Sequence, residues 1–588
     1  MDGQVEARAS AGWPTQAFAR PRLDVNLPMH AAVQTVIFVV VAGMVVAPVL
    51  FLVVNSLQTA PPGEAPQWSL AHWARAIGDG RLWTAIWNSV GLYLAISIFS
   101  WPTAILVAWV LGRSDIPARN TLEFLFWLAF FLPSLSVVMG WIVLIDPSFG
   151  ILNQLVRRLP FVHVQSGPFD IYTFWGLVWV HLGHNAIALK VILLTPAFRN
   201  MDATLEEAAR VAGHTNLGTL RRVTLPLIAP TIVIVFLLGF IRLWQSFEVE
   251  RVLGVPQGFF VYGTRIYDLL NQSVPDYGAA TVLSCLILIA SFPLLIVQRR
   301  VAVRRNYETV TSKFKAQPMR LGRARWPVFG IVLAIAVVVS ILPMISVVLG
   351  TFMKLFGYVF IRDPWTFAHW QEIVGDPVFL SSVRNTLVLA GGAAVFSAVL
   401  LTITAYILVR TRFWLRATLD VISWFPQALP GILLGLGFLW LALTPFLKPL
   451  YGTIVLLVVV TVVGGMTVGV QIVKGNILQL GRELEEAAQM SGATWSSTLR
   501  RVVLPLLAPT IALVGTLNFV AASRDVSNII LLSSGQTRTL ALLQLDYMVA
   551  PHWESASVVS VILIAISTGV ALAARAYGLR LGFRSDVH

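Results

Sequence analysis

The chain has 588 residues, of which 57% are hydrophobic and only 12% charged. Soluble globular proteins carry roughly 25% charged residues, so the composition excludes a water-soluble enzyme or binding domain and places the chain in a membrane. The formal net charge of +14 does not indicate nucleic acid, because the Lys and Arg flank apolar runs, and the single cysteine, Cys285, excludes an internal disulfide framework.

Residues 1–30 form a polar tail with Arg8, Arg20 and Arg22. The apolar run that follows is too long for a signal-peptide core and reads as an uncleaved first span. A membrane helix needs about 20 mostly apolar residues. The stretches 31–54, 88–112, 122–145, 173–195, 227–247 and 279–298 satisfy this in the first half of the chain. In the second half 327–350, 385–409, 419–443, 453–473, 506–522 and 556–576 do so. The expected fold is an all-α membrane protein with twelve transmembrane helices. Lys and Arg concentrate in cytoplasmic segments. Here they gather in the tail, in "GRSDIPARN", "RTRFWLRA", the passages 203–226 and 482–505, the linker 299–326 and the C-terminal tail 577–588. Both ends are therefore expected inside.

The two halves, 31–298 and 327–576, repeat one another. "WSLAHW" at Trp68–Trp73 returns as "WTFAHW" at Trp365–Trp370, and Leu132-Pro133 returns as Leu429-Pro430, both 297 positions on. Leu205–Ile232 returns at Leu484–Ile511, 279 positions on, so the first half carries an insertion within 146–172. "GILNQLVRRL" in that insertion suits either a short interfacial helix or a solvated loop. Six spans per half is an even number, so both halves enter from the same side as a parallel repeat.

The duplicated passage has a definite local physics. Thr204 or Asp202 can cap a helix start, where Glu206 and Glu207 complement the positive end of the dipole. Gly213 can adopt a left-handed conformation and end that helix, a second short helix can follow, and Pro226 suits the first turn of the next. Glu485, Glu486, Gly492 and Pro505 stand equivalently in the second copy. A connector only has to be polar, so identical charge and glycine spacing in two copies points to a shared docking task.

These passages resemble the signature of the membrane subunits of binding-protein-dependent ABC importers: Glu-Ala-Ala, three residues, Gly, nine residues, then Ile-x-Leu-Pro. The chain has Glu207-Ala208-Ala209, Gly213 and Val223-Thr224-Leu225-Pro226, then Glu486-Ala487-Ala488, Gly492 and Val502-Val503-Leu504-Pro505. Val replaces Ile in both. The resemblance covers nearly the whole chain and implies two permease halves fused in one chain. Each half would dock one of two cytoplasmic ATPase subunits, which would hold ATP and Mg, while this chain would hold no cofactor. It also implies a periplasmic substrate-binding protein as partner and a place in the bacterial inner membrane. "RRNYETVTSKFKAQPMRLG" and "SRDVSNIILLSSGQTRTL" look most like the iron(III) importer branch, although that branch often has Glu where Asp525 stands. Permeases for thiamine, phosphonates or polyamines are similar too.

Ionisable groups at membrane depth usually face a cavity or a partner. The fourth span carries His181, His184, Asn185 and Lys190, with the histidines three apart on one helix face. They offer either a transient metal contact or interhelical hydrogen bonds; no metal site is expected. Arg242, Gln245 and Glu248 end the fifth span and Arg524 and Asp525 the eleventh, either as ion pairs closing a helix or as a lining of the path. The chain shows no G-x-x-x-x-G-K-[ST] phosphate loop. A secondary transporter with two six-span halves is the alternative from another class; it would need neither docking loop and would carry coupling carboxylates within its spans.

Overall fold

A computed structural model describes residues 31–59, 67–160, 167–201, 204–304 and 319–576. Among these residues all regular structure is helical, apart from three isolated β-bridges. Ten helices are long and apolar enough to cross a bilayer. In the first half they are Ala31–Ser56, Gly80–Arg113, Phe174–Arg199, Asn216–Arg242 and Tyr277–Leu294, and in the second Gly322–Gly350, Pro377–Arg410, Ile454–Gln479, Trp495–Ser523 and Trp553–Ala574.

The third and ninth expected spans are not single helices. Arg119–Phe131 meets Ser134–Ile145 at 102°, and Arg416–Ala428 meets Gly431–Ala442 at 113°. The breaks fall at Leu132-Pro133 and Leu429-Pro430, the dipeptide that recurs between the halves. A proline pushes the residue before it out of the helical region and lacks an N–H. Leu132 and Leu429 are accordingly extended, with ψ 135° and 116°. Hydropathy registers the apolar run and not the bend within it. The first bent pair still reaches from end to end of its neighbour. Glu123, at the start of the third, bonds Arg199 at the end of the fourth span, while Asp146 after it accepts from Tyr172 Oη (3.0 Å) just before the fourth begins. In the second half Asp420 holds Lys474, near the end of the tenth span, at 2.6 Å.

The halves interlock through their first spans. Ala31–Ser56 packs against Gly431–Ala442 of the second half, and Leu342–Gly350, the end of the seventh span, packs against Ser134–Ile145 of the first. Both contacts use glycine facing proline. A Cβ at Gly140 would collide with the carbonyl of Pro343, and one at Gly437 would stand 2.9 Å from Pro48 O. Small residues let helix backbones approach closely where lipid gives no hydrophobic drive for association. Of the two readings of "GILNQLVRRL", the structure has the short helix and not the loop. Ile151–Arg157 is a short helix whose Gln154 donates to Gly357 O of the second half at 2.6 Å, with Asn153 fully buried beneath it.

Candidate functional site

The duplicated passages fold alike. Thr204–Val211 and Glu483–Met490 are helices, ended by Gly213 (φ +85°) and Gly492 (φ +83°). These left-handed conformations let His214 and Ala493 N–H close the helices onto Ala209 O and Ala488 O, each at 3.0 Å. Thr215 and Thr494 then cap a second turn. That turn is not a separate helix: it runs through a π-helical turn, Leu220–Thr224 or Leu499–Val503, directly into the fifth or eleventh span. Asp202, the other candidate cap, lies outside the described residues.

The two glutamates of each passage face opposite ways. Glu206 is buried and takes two bonds from Arg113, at the end of the second span: Nε at 3.0 Å and a terminal nitrogen at 2.5 Å. Thr224 Oγ1 donates to its other oxygen at 2.8 Å, and Arg113 also reaches Met201 O. Glu485 is likewise ion-paired, with Arg410 Nε at 2.9 Å, and accepts from Tyr406 Oη at 3.4 Å. Arg410 stands 297 positions after Arg113, so the anchor is duplicated with the fold. Neither arginine stands out locally in the sequence; its recurrence at the repeat offset is the only signal that could have found it. Ala209 is buried with Glu206, whereas Glu207, Ala208, Gly213, Glu486, Ala487 and Gly492 are exposed, and Ala488 is half-buried. The outer face also presents Leu205 and Val211, then Leu484 and Met490 at the equivalent positions; Val211 is 90% and Met490 80% exposed. Each passage is thus a short helix fixed to the bundle by a buried ion pair, with an apolar and acidic face left open.

The polar residues within the spans form a second centre. His181 Nε2 meets Glu250 Oε1 at 2.8 Å, and Ser246 Oγ donates to the same oxygen. His184 is buried against the Asn185 amide at 2.9 Å, both within a π-helical turn, Leu182–Ala186, a feature that often marks functional positions. The two histidines take separate partners, and among the described residues no group of three or more His, Cys, Asp or Glu could hold a metal. Arg524 and Asp525 do not close the helix as an ion pair. Asp525 accepts from the backbone and side chain of Asn528, while Arg524 crosses to the other half and donates to Phe130 O and Leu132 O, each at 2.9 Å. Gln245, the residue equivalent to Arg524, does the converse, reaching Gln427 O (3.3 Å) and Leu429 O (3.5 Å). These carbonyls flank the two Pro breaks. Carbonyls freed by a break at membrane depth must find donors, and here each half supplies the donor for the other.

Two cavities adjoin this centre. One, of about 160 Å³, lies inside the first half and is lined by His181, Asn185, Lys190, Arg242, Ser246 and Tyr93 among others. The second, of about 290 Å³, lies between the halves, lined by Arg242, Gln245, Thr467, Asp525, Ser527 and Asn528 together with apolar residues. Arg242 lines both, whereas His184 and Arg524 line neither.

Residues 102–307 and 398–581 match the family described as binding-protein-dependent transport system inner membrane component. The chain is 26% identical over 451 residues to a probable ABC transporter permease protein of Sinorhizobium fredii, a match covering 75% of this chain and 77% of the relative. It is 29% identical over 377 residues to a putative ferric transport system permease protein of Haemophilus influenzae, covering 61% of this chain but only 58% of that relative's length. A solved bacterial ABC transporter involved in the import of alginate aligns with 47% of this chain and 94% of its own, at 19% identity and TM-score 0.39.

Proposed function

The chain belongs to the family of binding-protein-dependent transport system inner membrane components, and on that premise we propose that it is the transmembrane permease of an ATP-driven importer. Two permease halves in one chain receive a solute from a periplasmic binding protein and pass it inward. Two cytoplasmic ATPase subunits, carrying ATP and Mg, drive the cycle. The observation that carries this reading is the duplicated docking helix, held at its base by a buried Arg–Glu pair and open on an apolar and acidic face. A rigid mount with an exposed knob transmits a push from a partner, which a flexible connector does not. Glu206 and Glu485 belong to the mount; Glu207, Glu486, Val211 and Met490 face the ATPase. Both termini and residues 299–326 lie on the cytoplasmic side.

The best-supported cargo is iron(III) or a small chelate of it. The likeness to the Haemophilus influenzae ferric permease and the fused two-half arrangement support that choice. The same machinery would serve thiamine, a phosphonate or a polyamine. Deletion in iron-limited cells should reduce uptake of labelled iron. Undiminished iron uptake, with loss of one of the other solutes, reassigns the cargo and leaves the mechanism standing.

A further inference from the structure

The 160 Å³ cavity in the first half carries positive charge that the fold does not need. Lys190 is 7% exposed. Its ammonium donates to Ser100 Oγ (2.9 Å) and Ala186 O (3.0 Å) and lies 5.3 Å from the Trp101 ring centre. An ammonium has three donors and no acceptor, so one remains for the cavity it lines. Arg242, an exposed side chain, lines the same cavity. Among the described residues no carboxylate forms an ion pair with either. Of the acids nearby, Glu250 is committed to His181 and Ser246, and Asp525, which shares the second cavity with Arg242, to Asn528.

Two unpaired cations at membrane depth are costly to keep and call for a functional partner. They are not required by the architecture, because the second half builds the same helices with Gly469 and Ala521 at the equivalent positions. The histidines and Asn185 have apolar or glycine counterparts as well: Val460, Val463 and Gly464. At about 160 Å³ the cavity matches the roughly 150 Å³ voids that accept a benzene-sized molecule, room for inorganic phosphate or for one carboxylate arm of a larger chelate. Through Arg242 it adjoins the larger cavity between the halves. Cations lining a cleft raise the local concentration of anions and repel bare metal ions and amines.

We infer that this cavity is a weak binding site for a small carboxylate- or phosphate-bearing anion. If the cargo is iron, as proposed above, it passes as an anionic chelate and not as the free trication. Neither thiamine nor a polyamine, both cationic, suits the site.

The test is isothermal titration of the full chain in neutral-lipid nanodiscs with citrate, ferric citrate, inorganic phosphate and putrescine. Saturable binding of ferric citrate, citrate or phosphate is expected, with none of putrescine. Lys190→Met and Arg242→Met should each weaken it roughly tenfold, the scale of one charge-assisted hydrogen bond. Lys190→Arg should restore most of what Lys190→Met loses, and Lys448→Met, on an exposed outer turn, should change nothing. Gel-filtration profiles exclude misfolding of the variants. The inference fails if no anion binds saturably, if the Met variants bind like wild type, or if putrescine binds. Labelled-iron uptake separates this from the cargo assignment. Lost iron uptake on deletion, without anion binding, overturns only the site; anion binding with unchanged iron uptake overturns only iron.

Discussion

Replacing Arg113 with Met should loosen the first docking helix while leaving the bundle intact. Both side chains of the Arg113–Glu206 pair are almost wholly buried, 6% and 8% exposed, so solvent screens little of their interaction. Removing one partner of a buried pair typically costs about 3–5 kcal/mol, because the remaining charge is stranded. Thr224 Oγ1 still donates to Glu206 at 2.8 Å, but a neutral hydroxyl does not replace the guanidinium charge beside a buried carboxylate. Since about 1.4 kcal/mol is tenfold in an equilibrium, local opening of the helix should rise at least roughly 100-fold. Hydrogen exchange read by mass spectrometry on peptides covering 204–212 should show this. Peptides from the second half should not change. Arg113→Met combined with Glu206→Met removes both charges and should recover most of the protection, since replacing a buried pair by apolar side chains is often neutral. Arg410→Met should act the same way on 483–490. The reasoning is refuted if Arg113→Met leaves exchange unchanged, or if the double variant opens as readily as the single one.

Arg524→Met should destabilise the contact between the halves more than Gln245→Leu does, since a charged donor contributes about 1.5–3 kcal/mol and a neutral one about 1. Limited proteolysis and detergent melting would rank the two variants; equal effects would contradict the brace. Gly140→Leu should force the seventh span off Ser134–Ile145 and lower the yield of folded chain, whereas Gly43→Leu, with open space around it, should not. Equal yields would show that the close approach is not needed. Reporter fusions within 299–326 and after residue 576 should both report a cytoplasmic location; a periplasmic signal from either would break the orientation drawn from Lys and Arg.

Much of this architecture was legible in the residues themselves. Apolar length gave the spans, and identical spacing gave the repeat and its duplicated helix-turn passages, because these are local properties of the chain. The bends at Leu132-Pro133 and Leu429-Pro430 were visible as a recurring dipeptide but not as bends, since hydropathy is blind to backbone direction. What the sequence could not supply were partners set by packing. Glu206 read as a docking residue because a helix start explains its charge; only the fold brings Arg113, 93 residues away, onto it. Arg524 stood beside Asp525 in sequence, yet its partners are carbonyls in the other half. The exchange of first spans depends on Gly140 meeting Pro343 and Gly437 meeting Pro48, contacts that no local pattern announces.

The central claim is that one chain mounts two docking helices for two ATPase subunits. Native mass spectrometry of the complex, purified through a tag on the full chain, tests it directly. Wild type should carry two ATPase copies per permease chain. Val211→Asp and Met490→Asp should each leave one copy, and the double variant none, with the membrane chain itself at normal yield. A single copy on wild type, or two copies retained on the double variant, would contradict the account.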